Sequence, residues 1–214
     1  EWEHGYREND ELGGDDPYSA SKAALEILIS SWRKSFCGFK SYQKDNLMIA
    51  SARAGNVIGG GDWSEDRIVP DCMRAWSSLK SVKLRSPNAT RPWQHVLEPL
   101  SGYLTLASKM YKEEIPNGHS FNFGPSISEN HSVLELVQMM SKSWNKVIWE
   151  DCSSTKEEFP EAGLLKLNCD KALSMLKWQS NLSFKDTIRL TADWYKEFFE
   201  SNENILNKSS SQID

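Results

Sequence analysis

Along this chain of 214 residues, short apolar runs alternate with segments whose apolar residues recur every three or four positions. Short runs suit buried strands, and the longer spacing suits helices with one buried face. The first helix is predicted from Pro17 to about Lys34. Asp16 serves as its N-cap, and Pro17 takes the first helical position, where a missing N–H costs nothing. Ala24, Leu25, Leu28, Ile29 and Trp32 form the apolar stripe of this segment. Tyr18 and Lys22 continue that line at steps of three and four, so both are expected to face the interior.

Leu47-Met48-Ile49-Ala50-Ser51-Ala52 reads as a buried strand that runs into a glycine-rich loop from Arg53 to Asp62. A helix is predicted from Val69 or Pro70 to about Leu79, followed by short strands at 82–84 and 93–96. Pro99 opens a helix to about Tyr111, with Leu100, Tyr103, Leu104 and Ala107 inward. A strand at 120–123 ends in a turn at Gly124. Ser132 and Glu135 form a capping box that starts a helix to about Trp144. Strands at 147–149 and 164–167 and helices at 170–176 and 184–199 complete the pattern. The tail from Ser201 is rich in Asn, Ser and Lys and is expected to be disordered. Alternating strands and helices predict an α/β fold.

Composition narrows the function classes. Hydrophobic residues make up 39% and charged residues 26%, as in ordinary globular proteins. A net charge of −5 disfavours a nucleic acid as the main partner. No apolar run approaches the ~20 residues that span a bilayer. The first residues, Glu-Trp-Glu-His-Gly-Tyr-Arg-Glu, are too acidic for a signal peptide, so a cytoplasmic protein is expected. The chain lacks an initiator Met and is expected to begin inside a longer gene product. Cys37, Cys72, Cys152 and Cys169 show no CxxC or zinc-finger spacing and are expected to be reduced thiols.

Three groups of residues could carry chemistry. Free tyrosine titrates near ~10, and an ammonium one helical turn away favours its phenolate, so Tyr18 and Lys22 could act as a proton-transfer pair. A chance Tyr-x-x-x-Lys is common, but its Asp-Pro entry and Ser-Ala-Ser interior strengthen it. Asn56, in a loop leaving the carboxyl end of a strand, could bind a hydroxylated ligand, or the loop could be an ordinary tight turn. Arg67, Arg85 and Arg91 could converge on a diphosphate or be unrelated surface cations. His95 could donate a proton, though a lone histidine is more often structural. Asp62, Glu65 and Asp66 read as a solvated acidic loop, and no metal is expected.

Asp16-Pro17-Tyr18-Ser19-Ala20-Ser21-Lys22, Ser51-Ala52-Arg53-Ala54-Gly55-Asn56-Val57-Ile58, Asp66-Arg67-Ile68-Val69-Pro70-Asp71 and Thr90-Arg91-Pro92-Trp93-Gln94-His95-Val96 occur here in order. Together they resemble the extended short-chain dehydrogenase/reductases, and within them the CDP-glucose 4,6-dehydratases. The opening Gly5-Tyr6-Arg7-Glu8 and the Phe121-Asn122-Phe123-Gly124 segment extend the resemblance over residues 1–200. It implies the C-terminal part of a Rossmann-type doubly wound parallel sheet plus a smaller α/β substrate-binding domain. Residues 1–60 would belong to the NAD-binding part and 61–200 mostly to the sugar-nucleotide part, with 201–214 as tail. The cofactor would be NAD, contacted by Tyr18, Lys22, Ala52 and Gly55. Asn56, Arg67, Arg91, Asn122 and Glu161 would bind the substrate, CDP-glucose or a similar sugar nucleotide. The implied reaction is dehydration to a 4-keto-6-deoxy sugar, in a homodimer.

Two departures stand out. The family's Gly-x-x-Gly-x-x-Gly turn is absent from this sequence, and so is its strand carrying the elimination acid and base. At Phe159-Pro160-Glu161 the family reads Pro-His-Glu. The chain alone is therefore expected to be catalytically incomplete and prone to associate. A non-catalytic sugar-nucleotide-binding module and an NAD-dependent epimerase are the alternatives.

Overall fold

The computed structural model describes residues 2–37, 47–144, 147–153, 163–201 and 205–214. In chain order its helices are α1 (Pro17–Phe36), α2 (Ile68–Ser77), α3 (Leu97–Tyr111), α4 (Val133–Met140), α5 (Phe184–Glu200) and α6 (Ile205–Ile213). Its strands are β1 (Ser51–Ala54), β2 (Asn56–Ile58), β3 (Val82–Leu84), β4 (Thr90–Arg91), β5 (Trp93–His95), β6 (Ser120–Phe123), β7 (His131–Ser132) and β8 (Trp149–Asp151). A π-helical turn covers Ala172–Leu176. The α/β alternation is as predicted.

Pairing is mostly parallel. β1 lies beside β6, β2 beside β5 and β3 beside β8, whereas β4 and β7 are antiparallel. Between β1 and β2 the chain changes partner at Gly55. Its N–H donates to the Phe123 carbonyl at 3.1 Å, and the buried Gln94 Nε2 donates to the same carbonyl at 2.8 Å. A Cβ on Gly55 would stand 2.9 Å from the Pro92 carbonyl oxygen, so this crossing needs a residue without a side chain.

Two apolar cores flank the crossing. The larger joins α2, α4 and α5 around Trp76, Met73, Leu136, Met140, Ile188 and Tyr195. Trp76 is fully buried and its indole N–H donates to the Ile148 carbonyl at 3.0 Å, which satisfies its one polar atom. The smaller core collects Phe121 and Phe123 of β6 with Leu106, Leu176 and Trp178. Gly102 of α3 seats the Phe123 ring there, since a Cβ would stand 2.3 Å from it.

Several expectations are corrected. The buried line of α3 runs through Glu98, Gly102 and Leu106, while Leu100 and Leu104 are exposed. Glu98 belongs inside because its Oε1 accepts the N–H groups of Asn181 at 2.9 Å and Leu182 at 2.6 Å. Residues 47–50 are not strand, and Arg53 and Ala54 belong to β1. Within the supposed glycine loop Asn56–Ile58 is β2, a strand created by long-range pairing. Leu164 and Leu167 form only isolated bridges, to Thr90 and Tyr6. The tail is helical from Ile205 to Ile213, because Trp194 Nε1 donates to Ser209 Oγ at 2.9 Å and Gln212 Nε2 to the Leu190 carbonyl at 2.8 Å. Such tertiary bonds leave no trace in composition. Cys37, Cys72 and Cys169 are free thiols, and burial pushes the Cys169 thiol up to about 12.

Candidate functional site

Helix α1 begins where expected. Asp16 accepts the Ser19 N–H at 2.9 Å and the Ser19 hydroxyl at 2.5 Å, and these bonds hold its carboxyl below the usual range. Tyr18 and Lys22 follow one turn apart, with Lys22 Nζ 5.4 Å from the Tyr18 ring centroid, a cation–π distance. Their expected inward orientation is not found. Tyr18 is 64% exposed, Leu25 and Leu28 are exposed, and no residue of α1 is fully buried. Of the stripe only Ile29 is half-buried, and Ala24, Leu25, Leu28 and Trp32 are exposed among the described residues, so periodicity alone misjudged its surroundings.

Glu26 is the next residue in the same i, i+4 line, and sequence reasoning missed it. Its Oε1 accepts Arg53 Nε at 2.8 Å and the Ser51 hydroxyl, and its Oε2 accepts Ser120 Oγ at 3.4 Å. Burial works against its charge, but the bonds from Arg53 and Ser51 outweigh it and hold the carboxyl below the usual range. Through this one carboxylate the tyrosine-bearing helix is moored to β1 and β6. Only its i+4 spacing from Lys22 could have signalled it.

Between α1 and the β1–β6 pair lies a cleft of about 650 Å³, bordered by Glu26, Ser30, Arg33, Ser51, Arg53 and Ser120. A smaller one of about 400 Å³ adjoins it, with Glu8, His119, Ser120 and Lys171 on its walls. Lys171 Nζ donates to the Ser120 carbonyl at 2.7 Å. Arg53 Nη1 donates to the Glu8 carbonyl at 3.2 Å, and Glu8 Oε1 accepts the Asn122 N–H at 2.8 Å. The Asn122 side chain is 1% exposed and donates to the carbonyls of Tyr6 at 2.9 Å and Asn168 at 3.2 Å. It ties three segments together rather than facing open solvent.

The sugar-binding candidates sit on the other side of the Gly55 crossing. Asn56 opens β2 opposite Trp93 and is half-buried. Arg67 is exposed immediately before α2. Arg91 ends β4, opposite His131, and its Nη1 donates to the Thr90 carbonyl at 2.9 Å. The Gly163 carbonyl accepts the Thr90 N–H at 2.8 Å, which brings the segment after residue 162 beside β4. Glu161 itself lies outside the described residues. Arg85 is exposed just after β3, and Ala52 is exposed on β1.

The glycines of this region make room for protein groups. A Cβ on Gly59 would lie 2.8 Å from Val96 Cγ1, and one on Gly60 would lie 2.0 Å from the Trp194 ring. His95 is 1% exposed, and burial pushes its imidazole down to about 4, so it is neutral and enclosed instead of poised to donate a proton. Asp62, Glu65 and Asp66 form no metal-ligating group among the described residues. Tyr18 and Lys22 stand exposed side by side, one helical turn apart. This sequence holds no Gly-x-x-Gly-x-x-Gly turn.

The fold is that of Rossmann-type sugar-nucleotide epimerases and dehydratases. The dTDP-glucose 4,6-dehydratase of Bacillus anthracis, solved with NAD, superposes with a TM-score of 0.70 at 17% identity, over 92% of this chain and 57% of its own. The UDP-glucose-4-epimerase of Stenotrophomonas maltophila, solved with NAD, gives 0.70 at 17% identity, over 91% and 61%. In sequence, the chain is 40% identical over 209 residues to the CDP-glucose 4,6-dehydratase of Salmonella typhimurium, covering 96% of this chain and 57% of that protein. The human dTDP-D-glucose 4,6-dehydratase is 21% identical over 89% of the chain and 51% of its own length. The chain thus spans little more than half the length of these two relatives. No protein-family model matches it.

Proposed function

We propose that this chain forms the tyrosine–lysine and sugar-facing part of an NAD-dependent 4,6-dehydratase acting on CDP-glucose. The observation that carries this reading is the 40% identity over 96% of the chain to a protein of that name. The exposed Tyr18–Lys22 pair supports it independently, because a proton-transfer pair must be reachable.

Bound NAD would supply the hydride acceptor and return the hydride, so the sugar leaves as a 4-keto-6-deoxy product with net loss of water. The Tyr18 phenolic oxygen would take the proton of the sugar's 4-hydroxyl as the C4–H bond gives up its hydride. Lys22 would hold the nicotinamide ribose and favour the charged phenolic oxygen. Ala52 and Gly55 would border the cofactor. Asn56 would hydrogen-bond the sugar, and Arg67 and Arg91 would pair with the diphosphate. Glu161 would contact the substrate, whereas Asn122 would act through the backbone it ties. Such an enzyme would work in the cytoplasm as a homodimer.

Two measurements test this. The complete gene product, given CDP-glucose and NAD, is expected to release a 4-keto-6-deoxy sugar nucleotide; a C4 epimer with its 6-hydroxyl intact would make it an epimerase. The 214-residue chain, titrated calorimetrically with CDP-glucose, is expected to bind without turnover. Absence of binding would remove the sugar-facing assignment, and turnover by the chain alone would overturn the claim that it is catalytically incomplete.

A further inference from the structure

We propose that Trp194, held in place by α6, is a positioning residue for the sugar-nucleotide site: its indole sets the loop from Gly59 to Trp63 that joins Asn56 to Arg67. The role in the site rests on the functional reading above; the contact itself does not.

The loop is clamped from one side. The Trp194 ring occupies the space a Gly60 side chain would need, at 2.0 Å, and its far edge lies 3.5 Å from a Cβ on Gly61. Gly61 has φ +81°, a backbone conformation open to glycine. Beyond it, the Asp62 carbonyl accepts the Tyr195 hydroxyl at 2.5 Å. Trp63 packs on Tyr195, Phe198 and Phe199 with centroids 5.4, 5.0 and 6.0 Å away. Each contact comes from α5, so the path between two candidate substrate ligands follows that helix.

The indole is in turn fixed by α6. Its Nε1 donates to Ser209 Oγ at 2.9 Å, while its ring stacks on Phe198 at 5.6 Å and 6°. Gln212 adds the second bond from α6 to α5. Helix α6 contributes no fully buried residue, and Leu206 and Ile213 are 80% and 71% exposed. A helix that adds no residue to either core, yet accepts the indole N–H and donates to the Leu190 carbonyl one turn before Trp194, is built to orient that indole.

The test uses the full chain and two readouts, amide hydrogen exchange across residues 59–64 and calorimetric affinity for CDP-glucose. Trp194→Ala is expected to speed loop exchange and weaken CDP-glucose by about tenfold each, with β6 amides unchanged. Trp194→Phe, which keeps a flat ring, should restore most of both. Ser209→Ala should show a smaller effect that Ser209→Thr reverses, which keeps the test open if the alanine variant at 194 does not fold. Gly60→Ala should disturb the loop in the native background and be tolerated beside Trp194→Ala, because the two meet at one contact. Unchanged loop exchange in Trp194→Ala overturns the proposal whether or not the chain binds sugar nucleotide. Faster exchange with unchanged affinity overturns its role in the site. A native chain that binds no CDP-glucose overturns the functional reading and, with it, the site role.

Discussion

His95 makes the stability of this chain depend on pH in a calculable way. The residue sits on β5 opposite Ile58, is 1% exposed, and its Nε2 meets no hydrogen-bond partner among the described residues. Burial therefore disfavours the imidazolium and pushes the imidazole down to about 4. In the unfolded chain the same ring titrates near ~6.5. Below that value the unfolded state takes up a proton that the folded state refuses. Stability from this group is thus fully present above ~6.5 and is lost as pH falls toward 4. The linkage relation gives a loss of about 2 kcal/mol between about pH 7 and pH 5. The carboxylates of Glu26, Glu135 and Asp186 are held low and weaken the fold only at more acid pH. His119 is also lowered by burial and by Lys171, so it adds a smaller loss of the same sign. Urea unfolding followed by tryptophan fluorescence at the two pH values measures the difference. His95→Leu should remove most of it and His119→Asn only a part. A His95→Leu chain with the native pH dependence would refute the assignment of that loss to this ring.

Other perturbations separate packing from chemistry. Glu98→Ala removes a buried acceptor from the Asn181 and Leu182 N–H groups and should cost about 2 kcal/mol in urea unfolding, while Glu98→Gln, which keeps an acceptor, should cost about 1. Gly102→Ala pushes a methyl into the Phe123 ring and should destabilise by about 2 kcal/mol, with loss of the near-ultraviolet signal of the Phe123–Trp178 pair. On the proposed dehydratase reading, Tyr18→Phe in the full-length protein should lower kcat by about 10²-fold or more with little change in CDP-glucose affinity, as measured by steady-state kinetics. A parallel loss of affinity would show instead that the phenol serves binding.

Much of this protein was legible in the order of its residues because the signals are local. Asp16-Pro17 starts a helix through bonds that span three residues, and Ser132 with Glu135 closes a capping box over the same distance. The Tyr18–Lys22 contact follows from one helical turn. What neighbours an element is a different matter, because it depends on groups far away in the chain. The stripe of α1 reads as buried by periodicity yet, Ile29 apart, is exposed among the described residues. Asn56-Val57-Ile58 reads as loop yet is a strand, because Trp93-Gln94-His95 pairs with it. Glu26 became a mooring point only when Arg53, Ser51 and Ser120 arrived from 25 to 94 residues away. Local hydrogen bonding and helical spacing set where elements begin and which residues share a face. Tertiary structure decided which faces are covered, which carbonyl closes the Gly55 crossing, and that a polar tail folds back as α6 to hold an indole.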